Sequence, residues 1–460
     1  MKKSTGSIEL GTANIRKLLI TYSVPAIISQ MAASLYNIVD SVFIGHGVGA
    51  LAITGLAITF PLMNLSAAFG ALVGAGGSTL VSIKMGQKDK ESAEHVLGNV
   101  VSLNLILGTI LTILGLIYID EILYFFGAGT DTIGYARDYM EIILYGNIIT
   151  HLYLGLNNVM RSSGYPQKAM KMTLLTVVVN AVLDMLFIFY FGWGIKGAAI
   201  ATIIAQLIAL VFTINHFIQK TSFIHFKRGI WGFKRNIVGG ILSIGMSPFV
   251  FNLCACLVVV IINRSMQKYG GDLAIGAYGI VNRIVMLFAM VVYGFNQGMQ
   301  PIAGYNYGAK LYLRVNETLK QTIICATMVT TFAFIVGEFF PREIAMMFTT
   351  DQQLIDLAAQ GMRIVVAVFP IVGFQMVTGN FFQSIGLPKK AILLSATRQL
   401  IFLIPMMLIL PLKFGLIGVW LSMPAADFLS TFLAGMLLRG QYKKFKQKGL
   451  SETPIIEQLA

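Results

Sequence analysis

The second half of this chain repeats the first in degenerate form, so both halves must fold alike. The stretch RSSGYPQKAM at 161–170 returns as QSIGLPKKAI at 383–392, with Gly164, Pro166, Lys168 and Ala169 recurring as Gly386, Pro388, Lys390 and Ala391. The same offset of 222 places Asn158 on Asn380, Gly86 on Gly308, Glu121 on Glu343 and Phe126 on Phe348. It is 223 at Pro25 and Pro248 and 221 at Gly197 and Gly418, a drift that small loop insertions leave behind. Whatever unit the first half builds, the chain builds twice.

That unit is apolar. Of 460 residues, 56% are hydrophobic and 12% charged, with a mean hydropathy of +0.76, against about a quarter charged in an ordinary soluble domain. Stretches long enough to cross a bilayer, about 20 residues each, fall near 18–44, 51–83, 96–119, 138–160, 169–191, 197–218, 237–262, 273–304, 319–340, 361–384, 391–411 and 416–438. The expected fold is therefore all-α and membrane-spanning: twelve helices in two pseudo-symmetric six-helix bundles around a central cavity. This is the plan that secondary transporters share. The second and eighth stretches run long, which predicts tilt or an extension beyond the lipid.

The net charge of +14 raises nucleic acid as a partner, but its distribution excludes it. With the N-terminus inside, 25 of the 34 cations fall on inward ends and loops, including Lys84, Lys88, Lys90, Lys227, Arg228, Lys310, Lys389 and Lys443. Outward loops hold 6: Arg137, Lys196, Arg264, Lys268, Arg342 and Lys413. Such asymmetry sets topology and attracts anionic lipid heads; it predicts a multi-pass protein of the cell membrane with both termini cytoplasmic.

The repeat also draws the domain boundaries: a bundle over 1–219, a basic, aromatic linker over 220–236, a second bundle over 237–438, and a cytoplasmic tail over 439–460, expected to be partly disordered. The charged and then apolar opening resembles a signal peptide, but removing 18–44 would leave the first half one helix short. The loop DEILYFFGAGTD at 120–131 is matched by REIAMMFTTD at 342–351. Cys254, Cys256 and Cys325 form no disulfide framework or metal-ligand spacing. The 46 glycines, clustered as in GALVGAGG at 70–77, suit close packing of membrane helices.

Ionisable groups deep in apolar segments are expensive and mark function. Asp40 lies in the first span and Asp184 in the fifth; Arg283, Arg363, Arg398 and Asp427 lie in spans of the second half. Asn180 stands one helical turn before Asp184, and Tyr36 and Asn37 stand one turn before Asp40, so each carboxylate shares a face with neutral hydrogen-bonding groups. Burial disfavours the charged carboxylate and a second carboxylate disfavours double ionisation, so such a pair can hold a proton or a small cation. The alternative is a hydrogen bond that only ties one helix to its neighbour, the simpler reading for Asp427 beside its proline. The repeat sharpens the contrast. Asp40 maps to Asn263, Asp184 to Met406, Asn180 to Phe402 and Thr202 to Met423, while Asp427 maps to Gln206. Scaffold positions recur and these do not.

The opening SVPAIISQMAASLYNIVDSVFIGHGVGALAITGLA, the stretch IKGAAIAT at 195–202 and the repeated RxxGxPxxA-like turn resemble the multidrug and toxic compound extrusion (MATE) family, in its DinF-type, MepA-like branch. The resemblance spans essentially the whole chain. It implies export of bulky lipophilic cations, by a monomer, in exchange for H⁺ or Na⁺, and so a role in multidrug efflux and antibiotic resistance. It further implies a proton or sodium site at Asp40, Asn180, Asp184 and Thr202, with Tyr36 and Asn157 lining the same cavity. Another branch of the family carries an acid on its seventh helix; here 248–252 reads PFVFN, with no carboxylate. The 23 methionines and 11% aromatic residues supply deformable apolar surface for flat cations, and Gln30, Asn37, Asn296, Gln297 and Gln300 are the expected polar cavity groups.

Competing classes predict features that the chain lacks or leaves open. An intramembrane enzyme is disfavoured: the five histidines (46, 95, 151, 216 and 225) belong to no HExxH, and no GxSxG appears. No organic cofactor and no structural metal is expected, Na⁺ at Asp40 and Asp184 aside. An exporter or flippase of lipid-linked or anionic metabolites requires Arg283, Arg363 and Arg398 to converge on a basic cavity. The choice between H⁺ and Na⁺ stays open, because carboxylate, amide and hydroxyl oxygens serve either, with H⁺ preferred.

Overall fold

The computed structural model describes the backbone of residues 6–220 and 222–457; the side chains of 6–8, Asn37, 446 and 448–457 lie outside the description. No described residue lies in a strand. The first half contributes six long helices: α1 (Ile15–Gly47), α2 (Ala50–Gly86), α3 (Lys90–Ile117), α4 (Ile133–Ser162), α5 (Pro166–Tyr190) and α6 (Gly194–Ile218). In the second half α7 and α8 run head to tail through Arg235–Gly308 and break at Gly271. Then follow α9 (Tyr312–Phe339), a bent pair forming α10 (Gln352–Val366 and Phe369–Ser384, at 56°), and α11 from Pro388. Finally, α12 begins after a break at Gly415 and continues helical to Glu457, through most of the segment taken from sequence as a tail. Twelve long helices in two matching sets of six agree with the layout read from sequence. Short helices at Ile119–Phe125 and Pro341–Met346 occupy the two matched outer loops.

The backbone repeats as the sequence does. Gly49 and Gly271 both have positive φ (121° and 67°), as do Gly194 and Gly415 (58° and 55°). Each pair are repeat mates standing where one long helix gives way to the next, in a conformation that a β-carbon opposes. The non-glycine positions with positive φ, Lys88 and Lys310, are mates as well (59° and 62°).

α2 has 37 residues, about 55 Å at 1.5 Å per residue, so it extends beyond a hydrocarbon layer of about 30 Å. α4 is the least lipid-like: it is absent from the helices apolar enough to span by composition, because Asn147, His151 and Asn157 are buried inside its unit. Lipid-facing surfaces read as expected, with Ile113, Val178, Phe212, Leu257 and Phe332 exposed.

Packing divides the chain differently from the repeat. One compact unit comprises residues 1–12 and 28–252, the other 13–27 and 253–460. The start of α7 therefore packs with the first-half helices. A β-carbon on Gly245 would lie 1.7 Å from the Leu72 carbonyl oxygen, and one on Gly76 would lie 2.0 Å from that of Ile241. Reciprocally, the start of α1 packs with the second-half helices. A β-carbon on Gly298 would lie 2.6 Å from the Ser23 nitrogen, one on Gly294 would lie 2.7 Å from the Ile27 Cα, and Arg314 Nη2 donates to Ala13 O (2.6 Å). Gly76 and Gly298 are repeat mates, so both units use one device: a small residue on the second helix of one half admits the first helix of the other.

Candidate functional site

The site lies in the first unit, along one face of α5. Thr173, Thr176, Asn180 and Asp184 stand three, four and four residues apart, so they form a single stripe. Each meets a polar partner on a neighbouring helix. Asn157 Nδ2 of α4 donates to Thr173 Oγ1 (3.2 Å). The Tyr153 hydroxyl of α4 lies 3.2 Å from Thr176 Oγ1. Asn180 Nδ2 donates to Thr202 Oγ1 of α6 (3.4 Å). Thr202 donates its own proton to Ala198 O (3.1 Å), so its oxygen is an acceptor, and the Tyr36 hydroxyl of α1, 2.9 Å away, is the donor to it.

At the end of the stripe Asp184 approaches Asp40 of α1. Their side chains are within interaction range of one another and 0% and 4% exposed. Both Asp184 oxygens, Asp40 Oδ1 and Asn180 Oδ1 are buried with no hydrogen-bond partner of normal geometry among the described residues. A buried acceptor left unpaired costs about 1–3 kcal/mol, and more when charged. Such a pair can hold a proton shared by the carboxyls or a cation between them. Directly after Asp184 the helix widens into a π-turn, Met185–Tyr190, a distortion often found at functional sites.

Asp40, Asn180, Asp184, Thr202 and Tyr36 thus come together at one end of the stripe. Asn37 lies in α1, its side chain outside the described residues. Asn157 of α4 joins the stripe only at Thr173, about three turns from Asp184, and Gln30 is half-buried on α1. Sequence reasoning missed Tyr139 of α4, which is buried and close enough to interact electrostatically with both aspartates; nothing in its apolar neighbourhood marks it. It also missed Tyr153, Thr173 and Thr176, although the helical spacing of the threonines from Asp184 was a usable signal.

The other candidates belong to the second unit. Asn296 is buried, its Nδ2 3.5 Å from Met376 O and its Oδ1 without a partner, while Gln297 and Gln300 are engaged in other interactions. The three arginines do not converge. Arg283 is exposed, with its guanidinium 5.9 Å from the centre of the Phe348 ring. Arg363 is exposed and donates from Nε to Glu338 O (3.3 Å). Arg398 donates from Nε to Asp427 Oδ1 (2.6 Å). Asp427, for which a helix-to-helix hydrogen bond was the simpler expectation, is thus half of an ion pair. Among the described residues no three His, Cys, Asp or Glu side chains gather as a metal site.

Two sets of six spanning helices, with a buried carboxylate pair lacking partners in one of them, define a polytopic membrane carrier. Comparison with known proteins makes this specific. The MatE family model matches residues 25–186 and again 248–409, so the chain belongs to the MatE family, whose members are multidrug transporters rather than enzymes. It is 26% identical to the multidrug export protein MepA of Staphylococcus haemolyticus over 92% of this chain and 93% of the relative. Against MepA of Staphylococcus aureus the identity is 25% over the same shares. The fold matches the solved structure of the MATE multidrug transporter DinF-BH in complex with R6G, at 38% identity, a TM-score of 0.87 and coverage of 93% of this chain and 96% of that one. A MATE crystal structure in the bent conformation matches at TM-score 0.92 over 98% and 100%, with 24% identity.

Proposed function

We propose that the protein exports lipophilic cations in exchange for H⁺, with Asp40 and Asp184 as the coupling site, in the cell membrane with both termini cytoplasmic. The observation that carries this reading is the buried carboxylate pair without a partner. A proton shared between the two carboxyls removes their repulsion and supplies the missing donor. Proton and substrate are then linked ligands, each favouring a different state of the carrier and each weakening the other by the same factor. The relatives agree in kind, being multidrug exporters and, for DinF-BH, a transporter solved with R6G. Na⁺ is the second reading, favoured by the unpartnered Asn180 Oδ1, a fourth oxygen beside the carboxylates. An exporter of anionic metabolites finds less support, because its three arginines have three separate partners.

The test is efflux of a cationic dye from proteoliposomes under an imposed pH gradient, with and without Na⁺. Wild type exports against the proton gradient in Na⁺-free medium, while Asp40→Asn and Asp184→Asn still bind dye but lose gradient-driven export. Normal export by both variants overturns the assignment, and export that requires Na⁺ replaces the proton with sodium.

A further inference from the structure

We infer that the linker over 222–236 is a binding site for anionic phospholipid, with the Arg228 and Arg235 guanidiniums on the headgroup phosphate and the Trp231 and Phe233 rings in the interfacial layer beneath it. The inference is independent of what the protein exports and takes from the reading above only the leaflet, the inner one.

The linker is fastened to the start of α3. The buried Glu94 carboxylate meets Lys227 Nζ at 2.5 Å and His225 Nδ1 at 3.5 Å, and Glu91 meets Lys234 Nζ at 3.6 Å. Asn99 Nδ2 donates to Gly232 O (3.2 Å) and Ser102 Oγ to Trp231 O (3.5 Å). A β-carbon on Gly98 would lie 2.3 Å from Ile230 O. Glu91, Glu94, Gly98 and Ser102 follow the helical period along one side of α3, and farther along that side Leu105, Ile106, Ile110 and Ile113 are exposed. The linker therefore covers the inner end of the stripe with which α3 meets hydrocarbon, and that end lies at the level of the headgroups.

Depth, rings and charge agree with this placement. Ser102, against the Trp231 carbonyl, and the exposed Tyr118 at the outer end of α3 stand 16 residues apart. That is about 24 Å at 1.5 Å per residue, close to a hydrocarbon thickness of about 30 Å, so Trp231 and Tyr118 occupy the places of the two interfacial aromatic belts. Trp231 is 44% exposed and Phe233 53%, and the Trp231 ring is held by stacking on Phe226 (5.4 Å between centres). The cations divide in two. Lys227 and Lys234 are engaged by the glutamates, while Arg228 and Arg235 are exposed and have no ion-pair partner among the described residues. A guanidinium fork matches phosphate, and cations at this level draw anionic lipid. The second unit covers the matching start of α9 differently: Phe445 of the α12 extension stacks on Tyr312 (5.3 Å) and is 2% exposed, so that ring is closed to lipid.

The test is titration of the purified protein in detergent with phosphatidylglycerol and, separately, with phosphatidylcholine, bound lipid being counted by native mass spectrometry. Wild type should prefer phosphatidylglycerol by about thirtyfold, the preference expected of two cations at the membrane surface. Arg228→Gln/Arg235→Gln should abolish that preference and leave the affinity for phosphatidylcholine within about twofold, which also shows that the variant is folded. Lys389→Gln/Lys443→Gln removes the same charge from exposed positions of the second unit and should keep the preference. Equal binding of the two lipids by wild type, an intact preference in the arginine variant, or the same loss in both variants overturns the site. Displacement of bound phosphatidylglycerol by millimolar inorganic phosphate also overturns it, by making a free anion the occupant. Because binding is read in detergent, these outcomes hold whichever way the protein is inserted and whatever it exports.

Discussion

The two units of this protein bury carboxylates in opposite ways. In the first, Asp40 and Asp184 face one another, and three of their four oxygens have no partner among the described residues. In the second, Asp427 is held at 2.6 Å by Arg398, a cation fixed in the chain. A carboxylate with a tethered counter-ion has little need of a mobile one, while a pair without any calls for one. One scaffold, repeated twice, thus carries a carboxylate pair in one unit and a carboxylate–guanidinium pair in the other.

The difference should appear first in stability. Asp427→Asn removes the charged acceptor of the half-buried Arg398 and should cost about 1–3 kcal/mol, read as a lower unfolding midpoint in detergent. Asp184→Asn removes an acceptor with no donor and should leave the midpoint unchanged or raise it. Equal losses in the two variants would erase the distinction. Next in size are the packing glycines. Gly245→Ala and Gly294→Ala press a β-carbon into Leu72 and Ile27 respectively and should each cost about 1–3 kcal/mol. Gly435→Ala, which meets open space, should be neutral or slightly stabilising by the same measurement. If one of the two packing glycines proves tolerant, the reciprocal seating of α1 and α7 is not equivalent in the two units.

Smaller effects probe the first unit alone. Tyr36→Phe removes the donor to Thr202 and should cost about 1 kcal/mol, roughly a fivefold shift in the proton dependence of dye binding; no shift would place Tyr36 outside the coupling network. Tyr153→Phe, farther along the stripe, should slow gradient-driven export while leaving equilibrium dye affinity within about twofold. A large change in affinity would instead make the stripe part of the substrate site.

Much of this was legible before any coordinates. Twelve helices and their pairing by halves follow from hydropathy and an offset that recurs at Gly164, Pro166 and Lys168. Asp40, Asp184, Asn180 and Thr202 stand out because polar residues in apolar helices are costly, and because their repeat mates are Asn263, Met406, Phe402 and Met423. Contacts that depend on rotation and depth were not legible. A repeat shows that α1 and α7 are equivalent, not that the start of each packs in the other's unit. Tyr139 looks like any aromatic residue of a membrane helix until α4 turns it toward Asp184. Arg398 and Asp427 lie 29 residues apart on helices whose first-half counterparts pair neutral groups, so neither spacing nor symmetry announced the bond.

The most direct test of the central claim is to count protons. Rhodamine 6G is added to the purified protein in weakly buffered solution, and the pH change is recorded for wild type and for Asp40→Asn/Asp184→Asn. If substrate and proton compete through the first-unit carboxylates, wild type releases about one proton per dye bound and the double variant binds dye with no release. Undiminished release from the double variant would show that the coupling proton resides elsewhere.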